Sequence, residues 1–320
     1  YGIVSSATSA VATAGDDNDN FRVENCAISK VYNGISNLAS TTPALSADGL
    51  VITQNVIGDA VVANYVTNRG IEVNNVNSPV ISQNTIFNII TLSTASNAAT
   101  GIDLGVNVIN GEVVRNNITS VYQPSTGGWN AYGIHFSSST GTTGVLVANN
   151  FISDIKTVNY STSSSFNAFG IRFSGGTNLK IYNNSINMFG DVTAGTSAGM
   201  SSNIYISSTL VTGLDMRNNI FSNTQNFGVA GSFAYNIYHS LTGISYNNIN
   251  FNDYAGASTA NTTARVGFDG STARTTLADW RTFTGQDLSS FSVAPVFVSN
   301  TDLHLVNNSN QCLDGGGTLL

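Results

Sequence analysis

Apolar and polar residues alternate in short runs that end in asparagine and recur along the chain. Representative runs are "VITQNVI" (51–57), "VISQNTI" (80–86), "LVANNFI" (146–152) and "LKIYNNSI" (179–186). Alternation at period two predicts short β-strands. The last asparagine of each run recurs about every 29–35 residues, a spacing typical of repeat architectures. These asparagines are Asn25, Asn55, Asn84, Asn117, Asn150, Asn184, Asn219 and Asn248.

Each repeat carries a second strand with the pattern Gly-Ile-x-apolar. It reads "GIEV" (70–73), "GIDL" (101–104), "GIHF" (133–136) and "GIRF" (170–173), and later "NIYI" (203–206) and "NIYH" (236–239). A third apolar patch such as "ISDI" (152–155) follows each asparagine, so every repeat predicts three strands. The run "LKIYNNSI" also fits a leucine-rich repeat, but intervening segments such as "TLSTASNAAT" (91–100) are poor in helix formers.

Three strands per repeat describe a coil, and stacked coils place each strand about 4.8 Å from its copy in the next coil. The N-x-I corner after a short apolar strand resembles the right-handed parallel β-helix repeat proteins, of the secreted and surface bacterial type with the pectate-lyase-like superfamily fold. The resemblance covers residues 1–250. A further segment, "TLADWRTFTGQD" (276–287) followed by Asp302, His304 and Leu305, is similar to the closing segment of secreted bacterial β-helix proteins.

The resemblance implies an all-β, right-handed parallel β-helix of about eight or nine coils. We expect loops on one edge and a C-terminal cap with a short helix. Residues 1–250 would form the coils, and residues 251–320 would form the closing coils and cap of the same solenoid.

Asparagine at a tight corner can adopt left-handed backbone angles, and its amide can bond both the turn and the equivalent amide of the next coil. We therefore predict an asparagine ladder and, three residues earlier in each repeat, an internal apolar column. The predicted ladder is Asn55, Asn84, Asn117, Asn150, Asn184, Asn219 and Asn248. The predicted column is Ile52, Ile81, Val114, Val147, Ile181 and Met216.

The third position of Gly-Ile-x-apolar should face outward, so successive coils should align it in one strip. This strip is Glu72, Asp103, His135, Arg172, Tyr205 and Tyr238. In polysaccharide-processing β-helix proteins the chemistry lies on such an external sheet, so the resemblance makes the strip a candidate catalytic site. Cross-strand charge pairing in a structural ladder is the alternative.

Loops at about 91–100, 122–131, 156–168, 189–202 and 222–234 should project from one edge of the coils, because a minimal coil needs far fewer residues than these repeats contain. They carry Tyr122, Trp129, Tyr160 and Phe166. These aromatic side chains either cover the coil edge or form a stacking surface for sugar rings.

The segment "GDDNDN" (15–20) places Asp16, Asn18 and Asn20 at the alternating positions of a calcium loop. The glycine of the EF-hand pattern is missing, and no bidentate glutamate follows at the required distance. An acidic surface loop is the alternative, and no other cofactor is expected.

Charged residues make up only 9% of the chain, against about 25% in ordinary soluble domains, so the outer wall is neutral and hydroxyl-rich. A net charge of −7 disfavours nucleic acid and anionic membranes as partners. No run of residues is apolar enough to predict a membrane span. The strand-like "YGI" at residue 1 favours a segment of a larger protein.

These features favour a non-catalytic structural or adhesive segment of a large secreted or cell-surface bacterial protein. Its expected partners are glycans, other surface proteins and other domains of the parent chain. The alternatives are a polysaccharide lyase or glycoside hydrolase that uses the outer strip, and a dedicated carbohydrate-binding module.

Overall fold

The computed structural model describes residues 1–320 apart from 7–17, 43–45, 92–96, 126–128, 159, 163–166, 193–196, 311–312, 314–315 and 319–320. Within those bounds the chain forms a parallel β-helix of about seven coils, slightly fewer than the eight or nine expected. One short α-helix near the C-terminus, Leu277–Thr284, completes the fold. No helix among the described residues is long and apolar enough to cross a membrane.

Three long sheets, here named A, B and C, run the length of the solenoid, and each coil contributes one strand to each sheet. In its described part, sheet A consists of Ile3–Ser5, Asn33–Leu38, Arg69–Asn74, Ala99–Leu104, Ala131–Phe136, Ala168–Phe173, Met200–Ile206, Ser232–His239, Thr262–Asp269 and the antiparallel Ala273–Arg274. Sheet B consists of Arg22–Glu24, Val51–Thr53, Val80–Ser82, Glu112–Val114, Leu146–Ala148, Lys180–Tyr182, Leu214–Arg217 and Tyr246–Asn250.

Sheet C consists of Ala27–Ile28, Val56–Ile57, Thr85–Ile90, Asn117–Gln123, Phe151–Thr157, Ser185–Met188, Ile220–Asn223 and Asp253–Gly256. Minor ladders pair Ala47–Asp48, Val76–Asn77 and Val108–Ile109, then Gly176–Thr177 with Val211–Thr212, and Asp191–Val192 with Asn226–Phe227. A 3₁₀ turn spans Val62–Asn64. The expected long loops join the strands of sheet C to those of sheet A, so they leave the solenoid at one corner.

The core is a set of apolar columns inside the coils. In sheet B the strand register aligns Ile52, Ile81, Val113, Val147, Ile181 and Met216. All six side chains are buried. The predicted column was wrong at Val114, which is only half-buried, because Val113 pairs with Ile81 and faces inward.

An asparagine ladder joins the coils at the corner between sheets B and C. Asn55 is typical: its backbone N–H and its Nδ2 both donate to Oδ1 of Asn84, at 3.0 and 2.9 Å. Its Nδ2 also donates to the carbonyl of Val23, in the coil on the other side. Each amide thus satisfies a backbone N–H and a backbone carbonyl of the preceding coil, where unpaired buried groups would cost free energy.

The rungs are Asn55, Asn84, Asn116, Asn150, Asn184, Asn219 and Asn252. The expected rungs Asn117 and Asn248 were wrong. Asn117 begins the next strand, and its buried Oδ1 has no hydrogen-bond partner among the described residues. Asn248 lies within the strand Tyr246–Asn250 of sheet B.

The left-handed backbone belongs to the residue before each rung, which corrects the expectation that the rung itself adopts it. Asn149, Asn183 and Asn218 have φ of 56°, 55° and 60°. Asparagine tolerates this conformation better than most residues. The first asparagine of each such Asn-Asn pair therefore turns the chain, and the second supplies the amide.

In sheet A, the glycine of the Gly-Ile-x-apolar pattern lies between the backbone of the adjacent strand and an apolar side chain of the core. A Cβ added to Gly101 would lie 2.5 Å from the carbonyl oxygen of Gly133 and 2.6 Å from Cγ2 of Ile118. Asn203 occupies this position in a later coil, and its Nδ2 donates to the carbonyls of Ile186 and Ser222. This position therefore holds either a glycine or a side chain that hydrogen-bonds to the surrounding backbone.

A cap closes the carboxyl-terminal end of the core. The helix Leu277–Thr284 has a capping box between Thr276 and Asp279. Its Trp280 is fully buried and donates Nε1–H to Oδ2 of Asp287 at 2.9 Å. The ladder ends in this cap, since the N–H of Asn252 donates to Oγ of Ser290. The expected short cap helix is confirmed.

We predict that Asn116→Ala lowers the free energy of unfolding by about 1–3 kcal/mol, because it strands buried polar groups in two coils. Asn117→Ala is the matched control, since the neighbouring amide lies outside the ladder, and it should change stability by less than about 0.5 kcal/mol. Urea denaturation followed by circular dichroism measures both. Equal losses for the two variants would contradict the assignment of rungs.

We predict that Asp253 contributes more to the stability of the protein at pH 5 than at pH 7. Burial raises the pKa of Asp253 to about 6, although the N–H of Val293 donates to its Oδ1. A raised carboxyl pKa contributes stability below the pKa of the unfolded chain, and that stability is lost as pH rises through about 6.

The expected contribution of Asp253 between pH 7 and pH 5 is about 1 kcal/mol. Between pH 7 and pH 5, Asp253→Asn should therefore lose about 1 kcal/mol of stability relative to the parent, read as a growing difference between their melting temperatures. The contributions of Asp287, whose pKa burial raises, and of His135 and His239, whose pKa values burial lowers to about 4, are common to both proteins. Identical pH profiles for the variant and the parent would refute the role of Asp253.

Candidate functional site

The outer face of sheet A brings the predicted strip together. Strand pairing places its six members opposite one another in successive strands: Glu72, Asp103, His135, Arg172, Tyr205 and Tyr238. A second outward column runs beside it through Arg69, Thr100, Tyr132, Phe169, Ser202 and Tyr235. Sequence analysis did not single out this second column.

A groove of about 950 Å³ lies over this face. Its floor includes four members of the strip, namely Asp103, His135, Arg172 and Tyr205. Glu72 and Tyr238 belong to the same column but do not line it. One wall carries Tyr32, Asn97, Trp129 and Asn130, and the other carries Ser137, Ser174, Ser207, Ser208 and Ser240.

Arg69 holds both carboxylates of the strip. Its Nε donates to Oδ2 of Asp103 at 2.7 Å, and its Nη1 lies 3.7 Å from Oε1 of Glu72. Glu72 also accepts a hydrogen bond from Nδ2 of Asn33 at 3.0 Å, and burial raises its pKa. The two acids therefore form a charge-paired cluster with one guanidinium instead of a free acid and base.

His135 lies on the floor of the groove as a neutral ring. Its Nε2 is 3.2 Å from Oγ of Ser174, and its Nδ1 is 3.8 Å from Oδ1 of Asp103. Burial lowers the pKa of His135 to about 4; Asp103 opposes that shift, whereas Arg172 and Arg69 add to it. Imidazole with such a pKa is uncharged at neutral pH and is a weak base.

Arg172 is clamped between two aromatic rings. Its guanidinium carbon lies 5.4 Å from the ring centre of Tyr132 and 5.2 Å from that of Tyr205, within cation–π range. Its Nη1 donates to the hydroxyl of Tyr132. Among the described residues, no carboxylate lies within salt-bridge distance of Arg172, and its buried Nε has no hydrogen-bond partner. The groove thus contains a fixed, unneutralised cation.

Aromatic rings continue from the groove along the outer face. Ring centres lie 6.1 Å apart for Tyr132 and Phe169, 4.3 Å for Phe169 and Tyr205, and 5.8 Å for Tyr205 and Tyr238. Phe169 is fully buried although it points away from the coils. A second apolar layer therefore stiffens the floor from outside the solenoid.

Two sets of residues on this face were not predicted, the aromatic residues of the second column and the serines of one wall. The sequence contained a pattern for each. An aromatic residue precedes the Gly-Ile or Asn-Ile pair in "AYGIHF" (131–136), "AFGIRF" (168–173) and "AYNIYH" (234–239). A serine directly follows the same strand in four consecutive coils, at Ser137, Ser174, Ser207 and Ser240. Neither signal could be placed at a groove without the strand register.

The predicted loop aromatics do not form one surface. Trp129 lines the groove and keeps 43% of its surface exposed. Tyr160 is buried in the coil core, where its hydroxyl accepts from the N–H of Thr157, so it is not part of an exposed stacking surface. Tyr122 lies in sheet C beside Lys156, away from the groove lining, and Phe166 lies outside the described residues.

The predicted calcium loop falls partly outside the described residues, since Asp16 is not among them. Asn18 directs its Nδ2 to Oγ of Ser5 at 3.1 Å, and Asn20 turns the chain with φ of 56°. Where the chain is described, no three His, Cys, Asp or Glu side chains cluster in a way that could hold a metal ion.

No protein-family model matches the chain, and no curated protein or solved structure gives a match.

We predict that Arg172→Gln raises the pKa of His135 and that Asp103→Asn lowers it. The first change removes a neighbouring positive charge, and the second removes the carboxylate that stabilises the protonated ring. Histidine resonances in labelled protein, titrated by NMR, measure both shifts, with the exposed His304 as internal reference. Shifts in the opposite directions would show that these groups do not face one another.

Proposed function

We propose that this chain is a non-catalytic adhesive segment of an extracellular or cell-surface bacterial β-helix protein, and that its groove binds glycans. One observation carries the proposal: the groove combines exposed aromatic side chains with a polar floor. Sugar rings present apolar faces that stack on aromatic rings and hydroxyl groups that hydrogen-bond at their edges. A few fixed polar groups in an aromatic-walled cleft are typical of ligand sites.

The composition and the floor of the groove support this assignment. Trp129 and Tyr32 are 43% and 44% exposed, whereas large aromatic side chains of a purely structural wall would be covered. Arg172 is oriented by two rings, so binding through its guanidinium would cost little conformational entropy. The chain's low charge suits a neutral, hydroxyl-rich partner.

The pairing of the ionisable groups argues against catalysis as the main role. General acid–base chemistry needs a titrating group that can give or take a proton near the working pH. Glu72 and Asp103 are tied to Arg69, and His135 is neutral with a low pKa. The arrangement favours a binding surface with fixed donors and acceptors.

A polysaccharide lyase or glycoside hydrolase is the second candidate, and one observation favours it. Asp103, His135 and Arg172 converge on one groove together with Tyr132, whose pKa burial raises to about 12. Perturbed groups that converge in a cleft are typical of active sites. The resemblance to secreted bacterial β-helix proteins is compatible with either candidate.

The ladder and stacked coils suit the proposed structural role, since they make an extended and rigid body. Other surface proteins and other domains of the parent chain are proposed as further partners. The groove does not lie on the ladder corner, so binding and stacking use different parts of each coil.

We predict that the protein binds at least one polymer from a panel of alginate, pectate, chondroitin sulfate and neutral β-glucan, measured by isothermal titration calorimetry. Trp129→Ala should weaken that binding about tenfold, equivalent to about 1.4 kcal/mol of lost stacking. Tyr122→Ala is the matched control, because it removes a ring outside the groove and should leave the affinity unchanged. Binding that survives Trp129→Ala intact would place the site elsewhere.

The same panel tests the enzyme alternative. Incubation should release neither unsaturated products, read by ultraviolet absorbance, nor new reducing ends. Reproducible cleavage of any polymer that is abolished by Asp103→Asn and by His135→Ala would overturn the non-catalytic assignment. Cleavage that persists in both variants would indicate contamination instead.

A further inference from the structure

Asp253 faces outward from sheet C but is nevertheless buried. Strand pairing aligns it with Phe151, Ser185 and Ile220 on the outer face of the sheet. The next residue, Tyr254, belongs to the apolar core, so the side chain of Asp253 points away from the coils. Only 2% of its surface is exposed. Segments outside the coils therefore cover this carboxyl.

Two segments that follow the cap helix lie over this part of the coils. The first contains Phe291, whose N–H donates to the carbonyl of Asn252 at 2.7 Å and whose carbonyl accepts from the N–H of Tyr254 at 3.0 Å. The second contains Thr318, whose backbone exchanges two hydrogen bonds with the side chain of Asn218, at 2.8 and 3.0 Å. Hydrogen bonds thus hold both segments on the outer surface of the last coils.

A cavity of about 460 Å³ lies between the coils and these two segments, at the corner between sheets B and C. Its walls include the apolar side chains of Ile220, Phe251, Phe291 and Leu305, and Asp253 is the only ionisable residue among the described residues that line it. This volume falls within the range of small-molecule sites, which are mainly apolar with a few polar groups. Among the described residues, the cavity and the groove over sheet A share no lining residue, so they are separate sites.

One oxygen of the Asp253 carboxyl has a partner and the other does not. Oδ1 accepts from the N–H of Val293 at 2.8 Å. Oδ2 is buried and has no hydrogen-bond partner among the described residues, and no described Lys, Arg or His lies within salt-bridge distance of it. Burial raises the pKa of Asp253 to about 6, so the carboxyl is mostly ionised at neutral pH. A buried carboxylate carries a desolvation cost that a cationic partner would offset.

We propose that this cavity binds a small organic ammonium ion. The ammonium N–H donates to Oδ2 of Asp253, and the apolar body of the ligand packs against the rings of Phe251 and Phe291. A charge-assisted hydrogen bond is stronger than a neutral one, and aromatic rings attract cations as well as apolar groups. The carboxylate would repel an anionic ligand. A divalent cation would find a single carboxylate among the described lining residues, whereas calcium takes about six to eight oxygen ligands.

The experiment compares three ligands that share a phenyl ring and differ in charge: benzylamine, benzyl alcohol and benzoate. Each is titrated into the protein at pH 7 and followed by calorimetry. Benzylamine should bind at least about tenfold more tightly than the other two, because only its ammonium group pairs with the carboxylate. No binding of benzylamine at roughly 10 mM, or equal affinity for benzyl alcohol, would overturn the proposal. Either result would leave the proposed glycan binding at the groove untouched, since the two sites are separate.

A pair of matched variants tests the carboxyl itself. Asp253→Asn keeps the shape of the side chain and removes its charge, so it should weaken benzylamine binding about tenfold. Asp191→Asn is the control, because it removes an exposed carboxylate that does not line the cavity, and it should leave the affinity unchanged. Equal affinity of Asp253→Asn and the parent would show that the amine does not meet this carboxyl.

Two further variants separate this site from the groove and from any change in folding. Phe291→Leu leaves the carboxyl in place and should weaken benzylamine binding about threefold through the lost ring contacts. Trp129→Ala alters the groove and should leave benzylamine binding unchanged. Melting temperatures show whether each variant is folded. Weaker binding to Trp129→Ala than to Phe291→Leu would place the amine in the groove and overturn the proposal.

The dependence of binding on pH gives an independent readout. Because the ionised carboxyl binds the ammonium group and burial raises the pKa of Asp253 to about 6, affinity for benzylamine should fall about tenfold from pH 7 to pH 5. The amine itself stays protonated across this range. Asp253→Asn should abolish the dependence. An affinity of the parent protein that is the same at both pH values would contradict the proposed ion pair.

Discussion

The hydrogen bonds between stacked asparagines hold every coil in a fixed position relative to its neighbours. Each rung donates its backbone N–H and its Nδ2 to the amide oxygen of the next coil, and its Nδ2 also donates to a carbonyl of the preceding coil. Because the corner is buried, a coil that slipped by one residue would leave several of these groups without partners. The ladder thus fixes the register of sheets B and C, and sheet A inherits the same coil-to-coil alignment.

That alignment makes the outer face of sheet A a regular surface. Residues distant in sequence, such as Asp103, His135 and Arg172, become neighbours at the coil spacing. The inner face needs only apolar side chains, but the outer face can change its chemistry from coil to coil without disturbing the ladder. A groove with aromatic residues on one wall and serines on the other can therefore be built on a uniform frame.

The electrostatics of the groove depend on which of its two arginines are paired with carboxylates. Arg69 pairs with both Asp103 and Glu72, so one guanidinium is shared between two carboxylates. Arg172 has rings on both sides instead of a carboxylate, so its donors face the groove with an orientation fixed before any ligand arrives. His135 is neutral, because burial and the two guanidinium groups lower its pKa to about 4.

The sequence by itself determined the repeat and the three strands per coil, because both depend on local spacing and side-chain period, and its resemblance to β-helix proteins implied the cap helix. It misplaced two rungs because amides that lie close together in sequence look alike. Only the residue two positions before the buried apolar residue of the next strand can reach the neighbouring coil, as Asn116 does before Ile118.

The tertiary structure alone decided which outward side chains share a groove. The sequence of a loop between two strands does not show which of its side chains fold back into the coil. Trp129 and Tyr160 therefore looked equivalent, although Trp129 is exposed and Tyr160 is buried. The pairing of Arg69 with two acids and the clamping of Arg172 between two rings depend on contacts between coils, about thirty or more residues apart along the chain. Such contacts are set by the stacking of coils and leave no local pattern in the sequence.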